Sequence, residues 1–167
     1  AVADGPRTPQ AALTDLAWLP VEAVNDGGSA AFVRIDHHRA LRSGYPEVVF
    51  GGGKTASQIV AICERLFVRD GGFLATRVSD EAQIALTDRF PSAIANAIGR
   101  TVHASTHPIH ANPAFAEVVI ACAGTSDLPV AEEAAATAIA FGNPVERIYD
   151  VGVAGLHRLL QEKDQLA

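Results

Sequence analysis

Long hydrophobic runs are absent from this 167-residue chain. Its longest apolar stretch, residues 114–123, is broken by Glu117, short of the roughly 18 apolar residues a membrane-spanning helix needs. No membrane partner is expected. An excess of positive charge is missing too: 13 Lys and Arg face 19 Asp and Glu, a formal net charge of −6. Neutralisation of phosphates dominates affinity for duplex DNA, so no nucleic-acid partner is expected either. Cysteine is scarce. Cys63 and Cys122 form no CxxC motif and no disulfide framework, and buried, reduced thiols in a cytoplasmic protein are expected. The chain opens without a basic stretch followed by an apolar core, so no secretory leader is expected. Internal repeats and low-complexity tracts are lacking. What remains, 49% hydrophobic and 19% charged residues, is the balance of a globular chain that can bury enough apolar surface to offset ordering entropy.

The hydrophobic pattern reads as βα alternation. Residues 8–18 predict a short helix, with Thr8 as N-cap, Pro9 in the first turn and Pro20 ending it. Asn25-Asp26-Gly27-Gly28-Ser29 is a turn cluster. A strand is predicted over 47–50 and, after three glycines, a helix from Thr55 to about Arg69, with Ile59, Ile62, Cys63, Leu66 and Phe67 at spacings of three and four. Gly71-Gly72 ends it. Strand 73–78 follows, then a helix capped by Ser79 with Asp80 and Glu81 in its first turn, then a weaker strand over 100–104. Residues 105–113, with two prolines and two histidines, read as a linker. Beyond it, 118–121 reads as a strand buried on both faces of a parallel sheet. A helix over 128–141, a strand over 146–151 and a helix over 153–163 complete the pattern. The fold class is therefore α/β, with domains expected at 1–112 and 113–167, the second being the start of a parallel-sheet domain.

Several polar motifs sit at turns of this pattern. Gly51-Gly52-Gly53-Lys54-Thr55 lies between a strand and a helix, but a P-loop needs glycine where this chain has Val48. Two readings remain, a looser anion site made by converging N–H groups at a helix start and a tight βα turn with a solvated lysine. Asp36-His37-His38-Arg39, Arg42 and Gly44-Tyr45-Pro46-Glu47 are either an arginine-based anion clamp or an internal cluster of Asp36 and Glu47 with Arg39 and Arg42. His103, His107 and His110 lie close together, yet match no zinc-ligand spacing. Ala123-Gly124-Thr125-Ser126-Asp127 follows one strand and opens a helix. Asp150-Val151-Gly152-Val153-Ala154-Gly155-Leu156-His157-Arg158 does the same after the next. Ligands of open α/β sheets bind beyond the carboxyl ends of the strands, so both motifs belong on one edge. Gly124, Gly152 and Gly155 permit close backbone approach. Ser126 and Asp127 can grip a ligand hydroxyl or act as reacting groups, and His157 can exchange protons near neutral pH. Capping by Ser126 or Asp127, with His157 as a surface residue, is the competing reading.

The runs DHHRALRSGYPEVVFGGGKTASQIV, LATRV, AGTSDLPVAEEA and DVGVAGLHRLL resemble, in that order, the LarB family of nickel-pincer cofactor biosynthesis, the pyridinium-3,5-biscarboxylic acid mononucleotide synthases. After about Pro113 the chain is also similar to the purine-biosynthetic aminoimidazole ribonucleotide carboxylases (PurE), whose Rossmann-like domain the LarB family shares. The resemblance implies carboxylation of the pyridinium ring of nicotinic acid adenine dinucleotide and hydrolysis of its phosphoanhydride, releasing AMP. It implies CO2 or bicarbonate as co-substrate, Mg for the hydrolytic step, a homo-oligomer and a cytoplasmic location. It assigns catalytic roles to Ser126, Asp127 and His157, and ligand binding to Gly124, Thr125, Gly152, Gly155, Arg158, Lys54, Thr55 and Arg77; no metal ligands are implied. The alternatives are a purine-pathway carboxylase or mutase, and a nucleotide-binding module without chemistry. The family continues through further βα units that carry a reactive cysteine, which neither Cys63 nor Cys122 matches. The chain therefore reads as part of a longer protein.

Overall fold

The computed structural model describes residues 21–24, 33–36, 39, 45–107, 109–112 and 114–162. It divides into two compact units, residues 1–47 and 48–167. In the first, β1 (Val21–Val24) and β2 (Val33–Asp36) form an antiparallel ladder, Val21 opposite Asp36 and Val24 opposite Val33. Val24 and Ile35 are buried. Arg39 pairs with Glu47 at 3.5 Å, one of the pairs that the ion-pair reading of this stretch expects. The predicted helix at 8–18, the turn at 25–29, His37, His38, Arg42 and Gly44 lie outside the described residues.

The second unit is built on a four-stranded mixed sheet of order β3-β4-β6-β5. β3 (Val48–Phe50) runs parallel to β4 (Gly72–Thr76), while β6 (Thr101–Ser105) is antiparallel to both β4 and β5 (Ile94–Asn96). The β3-to-β4 crossover is α1 (Ala56–Asp70). Thr55 caps it through a reciprocal pair: its hydroxyl accepts from Gln58 N–H at 3.2 Å, and its own N–H donates to the Gln58 side chain at 3.1 Å. Gly71, left-handed at φ 77°, ends the helix. The predicted apolar stripe is the face that packs, with Ile59, Ile62, Cys63 and Leu66 buried. α2 (Asp80–Arg89) is capped by Ser79, whose hydroxyl accepts from Ala82 N–H at 3.2 Å. Between the helices and the sheet, Phe67, Phe73 and Phe90 form an edge-on aromatic cluster with ring centroids 4.9–6.4 Å apart.

A second sheet holds β7 (Val118–Ala121) parallel to β8 (Val145–Ile148), Val118 opposite Val145 and Ala121 opposite Ile148. They are joined through α3 (Leu128–Ala140). The predicted adjacent parallel pair is thus present, and backbone bonds from Val151 N–H to Cys122 O and from Gly152 N–H to Ala123 O, both 3.1 Å, extend it past the strand ends. The expected burial of β7 on both faces needs correction: Val118, Val119 and Ile120 are half-buried and Ala121 is exposed. Among the described residues β7 has one paired neighbour, β8, so one edge stays open. The predicted helix at 153–163 is a 3-10 turn, Val153–Gly155, followed by α4 (Leu156–Gln161). α3 packs against β7 and β8 and also against β4, β5 and β6, so it joins the two sheets. The chain is an α/β structure with mixed sheets. No helix among the described residues is long and apolar enough to cross a membrane, and both cysteines are free and buried.

Candidate functional site

The turns after β7 and β8 lie side by side, as the sequence required of a ligand-binding edge. Gly152 is pressed against Ala123, and a Cβ there would sit 2.9 Å from the Ala123 carbonyl oxygen. A side chain at Gly124, by contrast, would meet nothing within 4 Å, so packing does not demand glycine there. Asp127 closes its own turn: a carboxylate oxygen accepts from Gly124 N–H at 3.1 Å while Asp127 N–H donates to Gly124 O at 3.0 Å. The same Asp127 lines a groove of about 440 Å³ bounded by Cys122 and Ala123 from the end of β7 and by Val130, Ala131 and Ala134 from α3. Small side chains on the helix leave this slot open. Thr125 and Ser126, which precede Asp127 in the turn, are exposed.

The β8 turn is organised around an ion pair. Asp150, left-handed at φ 62°, pairs with the Arg158 guanidinium. Gly155 makes room for that guanidinium, since a Cβ there would meet its Nε at 2.5 Å. Gly155 and Arg158 therefore have a structural task in this turn. His157 is exposed on α4.

A second group occupies the carboxyl end of the parallel β3–β4 pair. Gly51 N–H bonds Thr76 O at 2.7 Å and Lys54 N–H bonds Gly51 O at 3.0 Å, which places the glycine turn beside Arg77. The Lys54 ammonium donates to Phe50 O at 2.7 Å and stands 5.9 Å from the Phe50 ring centre. The Thr55 hydroxyl is committed to its capping bond and to Ser57 at 2.9 Å. Arg77 pairs with Glu133 of α3. The two groups are thus linked through α3: Asp127 precedes its first residue and Glu133 lies in its second turn, about 9 Å further along the axis at 1.5 Å per residue.

Sequence reasoning missed the group that fixes α3. The Glu132 side chain is 13% exposed, and its carboxylate takes three donors from two strands and their ends: Asn96 at the end of β5 at 2.5 Å, the Tyr149 hydroxyl just after β8 at 2.6 Å and Arg147 of β8 at 3.3 Å. Burial pushes the Glu132 pKa up, but the hydrogen bonds from Tyr149 and Asn96 and the Arg147 charge outweigh it and hold the carboxyl below its ordinary value. The signal was available: two adjacent glutamates within an otherwise alanine-rich helix.

No group of three His, Cys, Asp or Glu side chains among the described residues is placed to hold a metal ion. His103 sits on β6, where burial lowers its pKa, and His107 bonds Thr106 at 3.0 Å. Asp127 and Asp150, the carboxylates of the two turns, are already engaged by Gly124 and Arg158. Among the described residues the two turns thus present no preformed carboxylate cage for a metal ion.

Residues 27–106 match the family model described as the LarB/PurE-like N-terminal domain. Among curated proteins, the chain is similar to the uncharacterized protein MJ0165 of Methanocaldococcus jannaschii, 36% identical over 131 residues, which is 76% of this chain and 51% of that protein. The chain spans about half the length of this relative. The domain match supports the LarB/PurE family.

Proposed function

We propose, with the LarB/PurE-like domain at residues 27–106 as premise, that this chain serves carboxylation of the pyridinium ring of nicotinic acid adenine dinucleotide, with hydrolysis of the phosphoanhydride and release of AMP. That domain match is the observation that carries the reading. The geometry of the edges supports it. The slot between β7 and α3, of about 440 Å³ and lined largely by alanines, carries Asp127 as one carboxylate to orient a bound ring. Gly124 leaves open space for close approach. Thr125 and Ser126 offer hydroxyls to a ribose or a carboxylate. Lys54 and Arg77 supply positive charge suited to a phosphoanhydride. His157, exposed on α4, offers an imidazole that can take or give a proton.

CO2 or bicarbonate supplies the new carboxyl carbon, and the ring proton at the reacting carbon has to leave; Asp127 and His157 are the proton carriers we assign. No step is assigned to magnesium. The α3 surface, with Val130 and Ile139 exposed, supports a homo-oligomer as part of the same proposal, in the cytoplasm, where the dinucleotide is found.

The test is incubation with nicotinic acid adenine dinucleotide and labelled bicarbonate, following AMP and labelled ring carboxylate together. Both products are expected in equal amounts. Turnover of aminoimidazole ribonucleotide instead would move the activity to the purine-pathway carboxylases. Binding of the dinucleotide without either product would leave a binding module.

A further inference from the structure

Three cations meet at one end of the four-stranded sheet, two of them on unfavourable backbone. Arg77, the residue after β4, is left-handed at φ 53°, and Arg100, the residue before β6, at φ 51°. Left-handed backbone is disfavoured for any residue with a Cβ and concentrates at functional sites. The antiparallel register pairs Ala75 with Val102, which sets Arg77 and Arg100 across from each other at the strand ends. Val78 locks them there: its N–H donates to Arg100 O, and Arg100 Nε donates to Val78 O, both at 3.0 Å. On the other side of β4, the Gly51 bond to Thr76 O brings the turn carrying Lys54 alongside.

Three cationic residues are thus carried on neighbouring strand ends. Among the described residues one carboxylate pairs with them, that of Glu133, on Arg77. Asp80 and Glu81 are exposed in the first turn of α2. Lys54 has the Phe50 carbonyl and ring, and Arg100 has the Val78 carbonyl. The Arg77 side chain is 47% exposed while its partner Glu133 is 19% exposed. The arginine is reachable from solvent through the pair.

We propose that Lys54, Arg77 and Arg100 form a binding edge for a phosphate-bearing anion, and that Glu133 stands in the anion's place on Arg77 until it arrives. Guanidinium groups take carboxylates and phosphates in the same forked geometry, so exchange of one for the other needs no rebuilding of the edge. This inference rests on the reading above, in which the substrate carries a phosphoanhydride, but it is testable without that substrate.

The probe is inorganic pyrophosphate, titrated calorimetrically into the full chain at low ionic strength without divalent metal. Binding that weakens with added salt is expected. Arg77→Gln and Arg100→Gln are expected to weaken it by about tenfold or more each, as loss of a charge-assisted contact does. Glu133→Gln is expected to tighten it about fivefold, by removing the competing carboxylate. Should Glu133→Gln fail to fold, Glu133→Asp, with a shorter reach to Arg77, is expected to tighten binding in the same direction. Weaker or unchanged binding in a folded Glu133 variant overturns the proposal, because the glutamate would then position Arg77 rather than compete for it. So does wild-type protein that binds no pyrophosphate at millimolar concentration. Pyrophosphate binding as described, without turnover of the dinucleotide, supports this edge and removes the proposed reaction; turnover without pyrophosphate binding does the reverse.

Discussion

The carboxylate of Glu132 accepts the phenolic hydrogen of Tyr149 at 2.6 Å. The bond ties α3 to the end of β8, and the same carboxylate holds Asn96 at the end of β5. One half-buried charge therefore bonds to residues at the ends of strands in both sheets. Tyr149 responds in kind: burial, then the hydrogen bond to Glu132 and the negative charge of Glu132, push its pKa up to about 12. The phenol stays protonated and remains a donor throughout the neutral range.

Removing that donor is expected to destabilise the second unit. Tyr149→Phe keeps the ring and deletes one hydrogen bond to a charged group, worth about 1.5–3 kcal/mol, measured as a loss in urea-unfolding free energy at pH 7. Glu132 adds a pH signature. Its folded pKa lies below its ordinary value of 4.5, so its contribution is full above that value and fades as pH falls through the folded pKa. Glu132→Gln is expected to flatten the acid limb between pH 5 and 3, in about that window, while lowering stability at pH 7. An acid limb identical to wild type would assign the loss to other carboxylates.

His103 carries the opposite test of charge. Burial on β6 lowers its pKa from 6.5, so the folded state binds a proton less readily than the unfolded chain. Above 6.5 both states are neutral and the group is silent. As pH falls below that value the unfolded state takes up the proton first, and stability declines until the folded pKa is passed. His103→Gln is expected to remove this decline, read from thermal unfolding midpoints between pH 7.5 and 5 or so. A midpoint that falls just as steeply in the variant would exclude His103 as the source.

Gly99 tests how closely α3 is seated. A Cβ built there lies 2.7 Å from the backbone carbon of Glu132 and the backbone nitrogen of Glu133. No rotamer can relieve a contact with helix backbone, so Gly99→Ala has to shift α3. The expected loss is about 1–3 kcal/mol, the range for overpacking, with the Glu132 network disturbed in the same step. Full stability in Gly99→Ala would show that α3 yields freely.

Much of the second unit was legible from periodicity and caps. Thr55 and Ser79 start the predicted helices, and residues 118–121 form the predicted strand, because these signals are local. β5 was missed: Ile94–Asn96 has three residues, two of them exposed, and exists through pairing with β6 rather than through its own pattern. β1 and β2 were missed for a similar reason, as short strands flanked by turn residues. At the candidate site the glycine turns could be read, since they lie at strand ends. The use of Gly155 could not, because its neighbour is the Arg158 guanidinium, brought back by the Asp150 pair. Glu132 and Arg100 were hidden for the same cause: their partners lie 15 to 36 and 22 residues away, and pairing over such spans is set by topology.

Asp127 is the residue on which the proposed chemistry and the structural role separate most cleanly. Its carboxylate accepts from Gly124 N–H at 3.1 Å, closing the turn, and it also borders the slot beside Cys122 and Ala131. Asparagine keeps a side-chain oxygen in the same place and still closes the turn, but carries no charge and takes no proton. If Asp127 only shapes the turn, Asp127→Asn should melt within about 1 kcal/mol of wild type and turn over normally. If it moves a proton or orients a reacting carboxylate, the rate should fall by about 10²–10⁴-fold, the usual share of general acid–base catalysis, while dinucleotide binding changes far less. The measurement is AMP release and ring carboxylation from nicotinic acid adenine dinucleotide and bicarbonate, with melting temperatures taken on the same samples. We expect the kinetic loss with a near-normal melt; unchanged turnover in a folded Asp127→Asn protein would leave Asp127 with the turn alone.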